Sequence, residues 1–170
     1  NLHLIPRMLR DLTQGNTSCE ILGQSFPHPI FVAPIGHQQQ FHPEAEAATA
    51  LAAEVLSSNM ILSTFTNTDM RTLKPENPFK WFQLYWQGDR DKSLALLKLA
   101  EAQHFTAIVI TVDSPHTGIR DRERRAFFHL PENMQHPHTP AHIPLPELQE
   151  GDHPVFNGLM KIAPTWDDIA

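Results

Sequence analysis

The stretch "IVITVDSPHTGIRDRERR", residues 108–125, decides how the fold is interpreted. The stretch opens with an apolar run, which is followed by Thr111-Val112-Asp113. Pro115 then ends any regular element, and the last six residues of the stretch are all charged. A short run rich in β-branched residues and bounded by a proline predicts a buried strand. The carboxyl end of that strand therefore carries a hydroxyl, a carboxylate and several arginines.

Other apolar runs of strand length accompany this one. None of them alternates cleanly between polar and apolar residues, which is typical of parallel strands buried on both faces. The four runs are "IFVAPI" (30–35), "MILSTF" (60–65), "WFQLYW" (81–86) and "AIVITV" (107–112).

Helical patterns separate the four runs, at 42–56, 66–73 and 89–103. In the third pattern Leu94, Leu97 and Ala100 recur at steps of three and predict a packing face. The order β-α-β-α-β-α-β predicts an α/β fold with a parallel sheet, either a barrel or an open sheet.

The character of the sequence changes after Phe128. Residues 131–154 hold six prolines and four histidines, which predicts a long irregular excursion over 128–164. "APTWDDIA" then predicts the start of a helix, with Thr165 as its cap. The histidines of "HPHTPAH" (136–142) raise the alternative of a metal site, but chance enrichment in a polar loop is favoured and no metal is expected.

Composition excludes several classes of function. The formal net charge of −6 argues against a nucleic-acid partner, because phosphate binding needs a basic face. The single cysteine, Cys19, cannot form an internal disulfide and fits a reducing compartment, so we expect a cytoplasmic protein. No run reaches the ~20 apolar residues of a spanning helix, so no membrane association is expected.

Polar side chains lie at the carboxyl ends of three of the four predicted strands, where parallel α/β folds collect their active residues. Burying such groups without partners costs roughly 1–3 kcal/mol each. Each group could bond to a neighbouring backbone, but the set together favours a planar, polar ligand above the sheet. Arg120 follows and could hold a carboxylate or phosphate, whereas Arg122, Arg124 and Arg125 are interpreted as a solvated basic run.

Seven stretches, in order and in register, carry a resemblance to a known family. The chain resembles the FMN-dependent 2-hydroxy-acid oxidases and dehydrogenases, the group that includes glycolate oxidase and lactate oxidase. The stretches are "PRMLRDLT" (6–13), "EILGQSFPHPIFVAPIG" (20–36), "HPEAEAATALAA" (42–53), "MILSTF" (60–65), "WFQLYWQGDR" (81–90), "AIVITVDSPHTGIRDRE" (107–123) and "TWDDIA" (165–170).

The resemblance implies a (β/α)8 barrel with FMN at the carboxyl ends of its strands. It implies that the backbone at Ile35 and Gly36, next to Pro34, approaches the flavin ring. The flavin edge would then be hydrogen-bonded by side chains from three successive strands, those of Ser63, Gln83 and Thr111.

The resemblance also implies residues for catalysis and substrate binding. Tyr85 would hydrogen-bond the substrate, Arg120 would contact its carboxylate, and Asp113 would pair with the catalytic histidine of the family. Phe65 stands where Trp or Tyr is common in the family and would shape the substrate pocket, which leaves the substrate's side chain open. His37 and His116 are interpreted as loop histidines.

A complete barrel takes about 250 residues, and this sequence supplies four strands within its 170 residues. We therefore expect residues 1–170 to be the N-terminal half of an FMN-binding barrel, inactive alone and completed by a C-terminal half with the catalytic His and Lys and a second Arg. The expected reaction is oxidation of a small L-2-hydroxy acid, lactate- or glycolate-like, in a homo-oligomer (tetramer or octamer). A non-catalytic half-barrel or assembly fragment is the alternative, and the electron acceptor stays open.

Overall fold

A computed structural model describes residues 3, 5–73, 80–113, 120–140, 143 and 146–169. Its strands are β1 (Cys19–Ile21), β2 (Gln24–Phe26), β3 (Phe31–Val32), β4 (Asn59–Leu62), β5 (Trp81–Tyr85) and β6 (Ala107–Thr111). Its α-helices are α1 (Ala45–Val55), α2 (Arg90–Ala102), α3 (Asp121–Arg125) and α4 (Trp166–Ile169). The strands β3-β4-β5-β6 form one sheet in that order, and each neighbouring pair is parallel, which confirms the predicted parallel arrangement.

The two faces of the sheet differ in chemistry. Leu62 on β4 lies opposite Phe82 on β5, and both side chains belong to the buried core formed with Ala50 of α1 and Ala100 of α2. Because side chains alternate along a strand, Ser63 and Gln83 lie on the opposite face, away from the helices. The second face therefore carries polar groups toward the carboxyl ends of the strands.

Helix α2 begins at a side-chain cap, at the start of the helical pattern that the sequence predicts. The carboxylate of Asp89 accepts a hydrogen bond from the Lys92 N–H at 3.0 Å. The predicted packing face is partly wrong, because Leu94 is 40% exposed whereas Ser93, Leu96 and Ala100 are buried. The Ser93 hydroxyl accepts the Gln87 N–H at 3.1 Å, and this bond turns the Ser93 side of the helix toward the sheet.

The helix predicted at 66–73 is wrong: these residues form turns. The carboxylate of Glu46, a fully buried residue of α1, accepts hydrogen bonds from the Asn67 N–H and from the N–H and hydroxyl of Thr68. These long-range bonds hold the segment in an open turn.

An antiparallel hairpin, β1–β2, lies at the amino end of the sheet and is not anticipated from the sequence. Leu22 and Gly23 form its two-residue turn, with φ values of 53° and 73°, as a tight hairpin turn of this length requires. The hairpin is attached to β5 by a 3.2 Å hydrogen bond from the Trp81 indole N–H to Gln24 Oε1. Phe26 also packs edge-on against Trp81, with ring centroids 6.3 Å apart.

The excursion after α3 contains two short helical turns, at Pro154–Gly158 and Leu159–Lys161, which the sequence does not predict. The predicted helix start at Thr165 is confirmed. The Thr165 N–H and hydroxyl both donate to the Asp168 carboxylate at 2.8 Å, at the beginning of α4. Across the described ranges, no helix has the length and apolarity needed to cross a membrane.

Candidate active site

Three side chains form a hydrogen-bonded row across the carboxyl ends of β4, β5 and β6. The Ser63 hydroxyl donates to Gln83 Oε1 at 3.3 Å, and Gln83 Nε2 donates to the Thr111 hydroxyl at 2.9 Å. Ser63 is 3% exposed and Gln83 is 1% exposed. The structure thus brings together the three residues that the sequence places at the ends of adjacent strands.

The orientation of the Gln83 amide is fixed by the backbone. Gln83 Oε1 also accepts the Thr64 N–H at 3.2 Å, and only the carbonyl end of an amide can accept from an N–H. The Thr64 hydroxyl donates to the backbone carbonyl of Gln83 at 2.6 Å and accepts the Tyr85 N–H at 2.8 Å. The second Nε2 proton of Gln83 and the hydroxyl proton of Thr111 therefore remain suited to donate to a polar, planar group above the sheet.

The turn after β3 approaches this row closely. A Cβ atom built on Gly36 would lie 3.1 Å from the Phe65 Cβ, so a larger residue would force Phe65 to move. The Ile35 carbonyl accepts a hydrogen bond from Gln38 Nε2 at 3.2 Å, while the Ile35 side chain is exposed and Pro34 is half-buried. Residues 34–36 thus line the same end of the sheet as the hydrogen-bonded row.

A row of four aromatic rings, here called the ring row, crosses the carboxyl end. The centroids of Tyr85 and Phe65 are 5.4 Å apart, Phe65 stacks on His37 at 5.6 Å, and His37 meets His136 edge-on at 5.4 Å. Sequence reasoning assigned no contact to His37 or His136, and no local pattern could show that these residues meet.

The segment 134–139 of the excursion is attached to the turn that follows β4. Asn67 Nδ2 donates to the Gln135 carbonyl at 2.8 Å, and the Thr139 hydroxyl donates to the Thr64 carbonyl at 3.4 Å. His138 Nε2 accepts the Met70 N–H at 2.8 Å. The excursion therefore lies against the carboxyl end of the sheet.

The pKa values of two titratable groups at this attachment are shifted from their ordinary values. The hydrogen bond from Arg71 lowers the pKa of Asp69 to about 2. Burial lowers the pKa of His138, although the Asp69 carboxylate, 3.5 Å away, opposes this shift. A neutral His138 agrees with its role as acceptor of the Met70 N–H.

Asp113 and Arg120 lie in a more open environment. Both are exposed, and the Arg120 guanidinium donates to Glu123 Oε1 at 3.0 Å in the first turn of α3. The expected roles of Asp113, Arg120 and Tyr85 in catalysis and substrate binding stay predictions, and His116 lies outside the described residues. In the part of the chain that the structure describes, no group of three or more His, Cys, Asp or Glu residues is arranged to hold a metal ion.

Comparison with known proteins shows what this arrangement is similar to. A family model described as FMN-dependent dehydrogenase matches residues 1–170. An L-lactate oxidase from Roseobacter sp. (strain GAI101) is 40% identical over 98% of this chain and 46% of its own length. A 4-hydroxymandelate oxidase from Amycolatopsis orientalis is 42% identical over 76% of this chain and 36% of its own length. The chain therefore spans about half or less of the length of these relatives.

Solved structures give the same picture. Mandelate oxidase with (S)-2-phenylpropionate is 40% identical and superimposes with a TM-score of 0.75, over 79% of this chain and 40% of that protein. A variant of mandelate oxidase with the C4a-OH-FMN adduct has a TM-score of 0.74 at 39% identity, over 79% of this chain and 41% of that protein. The parallel strands and helices described above are thus those of the N-terminal half of a (β/α)8 barrel, as the sequence predicted, and the chain belongs to the FMN-dependent dehydrogenase family of 2-hydroxy-acid oxidases.

Proposed function

We propose that the full-length protein oxidises a small L-2-hydroxy acid to the corresponding 2-oxo acid, and that this chain supplies the N-terminal half of the site. The observation that carries the proposal is the hydrogen-bonded row of Ser63, Gln83 and Thr111 across three adjacent strand ends. Membership of an FMN-dependent family gives that row a ligand of the right chemistry.

The residues present fit a flavin ring. The ring's pyrimidine edge carries carbonyl oxygens and a ring N–H, and the row offers amide and hydroxyl groups that match them. Gly36 packs closely against Phe65 and carries no side chain. The backbone at residues 34–36 is therefore bare where it comes nearest to the hydrogen-bonded row. Bound FMN would supply the acceptor for a hydride equivalent from the α-carbon of the substrate.

The substrate would lie beside the ring row. We assign to the Tyr85 hydroxyl a hydrogen bond to the substrate and to Phe65 the wall that faces the substrate's side chain. We assign to Arg120 a two-pronged contact with the substrate carboxylate, which requires its guanidinium to leave Glu123. That exchange is inexpensive, since an exposed ion pair contributes at most about 1 kcal/mol.

Asp113 would act through a base supplied by the C-terminal half of the barrel. A carboxylate beside a histidine favours the protonated imidazole that forms once the hydroxyl proton has been taken. We therefore propose that activity requires both halves of the barrel. We also propose that the full-length protein is a homo-oligomer of complete barrels and that lactate- or glycolate-like acids are its substrates.

The test uses the full-length protein, purified and examined for a flavin absorption spectrum. It is then mixed with L-lactate, glycolate and (S)-mandelate, and 2-oxo acid formation is measured with oxygen and with an artificial electron acceptor. Flavin bleaching without oxygen and product formation with at least one acid are expected. A protein that holds flavin but is reduced by none of these acids would contradict the proposal.

A further inference from the structure

We propose that His37 and His136 are positioning residues for substrate selection, because they hold Phe65 against Tyr85 and so limit the size of side chain that the 2-hydroxy acid can carry. This inference rests on the proposed function and deepens it. Neither histidine has to touch the substrate for the effect.

The Phe65 ring contacts two other rings. Its ring stacks on His37 at an interplanar angle of 20°, and it also contacts the Tyr85 ring at an interplanar angle of 33°. A ring packed against two neighbouring rings loses access to alternative rotamers. The contact with His37 thus helps to fix the Phe65 side chain.

The ring row joins segments that are far apart in sequence. His37 comes from the turn after β3, Phe65 from the turn after β4, and His136 from the excursion that follows α3. Because His136 meets His37 edge-on, at an interplanar angle of 80°, a shift of the excursion is passed to His37 and then to Phe65. The excursion can therefore alter the substrate pocket from outside it.

The backbone around both histidines is held independently of their rings. The His37 N–H donates to the Phe65 carbonyl at 3.0 Å. On the other side, the Gln135 N–H donates to Gln39 Oε1 at 3.2 Å, and the Gln135 carbonyl accepts from Asn67 Nδ2 at 2.8 Å. Removing an imidazole should consequently loosen Phe65 while the two backbone segments keep their places.

The experiment measures, in the full-length protein, the ratio of kcat/KM for (S)-mandelate to that for L-lactate, two acids that differ only in the side chain. His37→Ala and His136→Ala should each raise this ratio by about two- to tenfold, the range expected for losing one aromatic ring contact. His136→Phe, which keeps a ring, should restore the ratio to within about twofold of the unmodified protein. FMN content should stay unchanged throughout.

His129→Ala is the matched control, because His129 is an exposed histidine of the same excursion. His37 has a positive φ of 57°, where alanine is strained. If His37→Ala does not fold, the kcat/KM ratios of His136→Ala and His136→Phe test the inference. An unchanged ratio in His136→Ala, or an equal change in His129→Ala, would overturn the inference alone. Failure of the unmodified protein to oxidise any 2-hydroxy acid would overturn the proposed function and this inference with it.

Discussion

Replacing Gln83 by leucine is expected to weaken FMN binding by the full-length protein and to lower its stability by up to about 2 kcal/mol. Gln83 makes three side-chain hydrogen bonds, to Ser63, to Thr111 and to the Thr64 N–H. Leucine has a similar size and can make none of them.

The expected magnitude follows from the partners that are left behind. The Ser63 hydroxyl can rotate, and Thr111 is only half-buried, so both can find other partners. The N–H of Thr64, a residue 1% exposed, cannot, and a buried donor without an acceptor costs roughly 1–3 kcal/mol. The apolar leucine side chain returns about 1 kcal/mol of this through burial. The lost bond to the flavin should lower FMN affinity by roughly three- to tenfold.

Stability is measured by urea unfolding, and FMN affinity by fluorescence titration of the flavin-free protein. Gln24→Leu is the matched control, because Gln24 is the amide partner of Trp81 at the opposite end of β5. It should lose some stability and keep its FMN affinity. Equal FMN affinities of Gln83→Leu and the unmodified protein would refute the assignment of the row to the flavin.

Three further predictions concern the surroundings of the row. Glu46→Gln should lower the free energy of unfolding by about 2–3 kcal/mol, because the buried carboxylate accepts hydrogen bonds from Asn67 and Thr68. The control, Glu44→Gln at an exposed residue, should change it by less than about 0.5 kcal/mol. Urea unfolding of both variants tests this. Arg120→Lys should lower kcat/KM by about ten- to a hundredfold at normal FMN content, and Arg122→Lys should not; equal small effects would remove Arg120 from the site. Because the folded pKa of Asp69 is lowered from 3.8 to about 2, its contribution to stability is present above the unfolded pKa and is lost as pH falls toward the folded one. The stability difference between the unmodified protein and Asp69→Asn should therefore shrink between about pH 5 and pH 3, and a constant difference would contradict this.

The four strands of the parallel sheet and the longer helices could be predicted from the sequence because their signals are local. The run from Trp81 to Tyr85 is both the apolar pattern and the strand, and Asp89 caps α2 by a bond to a residue three positions away. The meeting of Ser63, Gln83 and Thr111 follows from the same information, because parallel strands end at one edge of a sheet.

Sequence reasoning missed two features that depend on bonds to other segments, and it also missed the hairpin. Residues 66–73 have helical capping residues but form turns, and the Asn67 and Thr68 N–H groups bond to Glu46 of α1, a long-range contact that no local pattern encodes. Leu94 fits a period of three, but Ser93 turns inward to accept the Gln87 N–H. The hairpin did have a local signal, since Gly23 in a two-residue connection favours a tight turn.

The ring row could not be predicted from the sequence, because it also depends on contacts between distant segments. His37 and His136 are 99 positions apart in the chain, and each stands in a polar, irregular stretch. Their contact depends on how the excursion is attached through Asn67 and Thr64, which no pattern in either stretch encodes.

The packing of the hairpin on Trp81 also provides an optical reporter for one end of the barrel. Trp81 is 7% exposed and surrounded edge-on by Phe26 and Phe31, whereas Trp166 is 81% exposed. Emission from Trp81 should therefore be blue-shifted and protected from iodide, and emission from Trp166 should be red and readily quenched. In a Trp86→Phe variant, which removes the half-buried tryptophan at the carboxyl end of β5, detachment of the hairpin would appear as a loss of the protected component, so opening of the amino end can be timed separately from events at the opposite end.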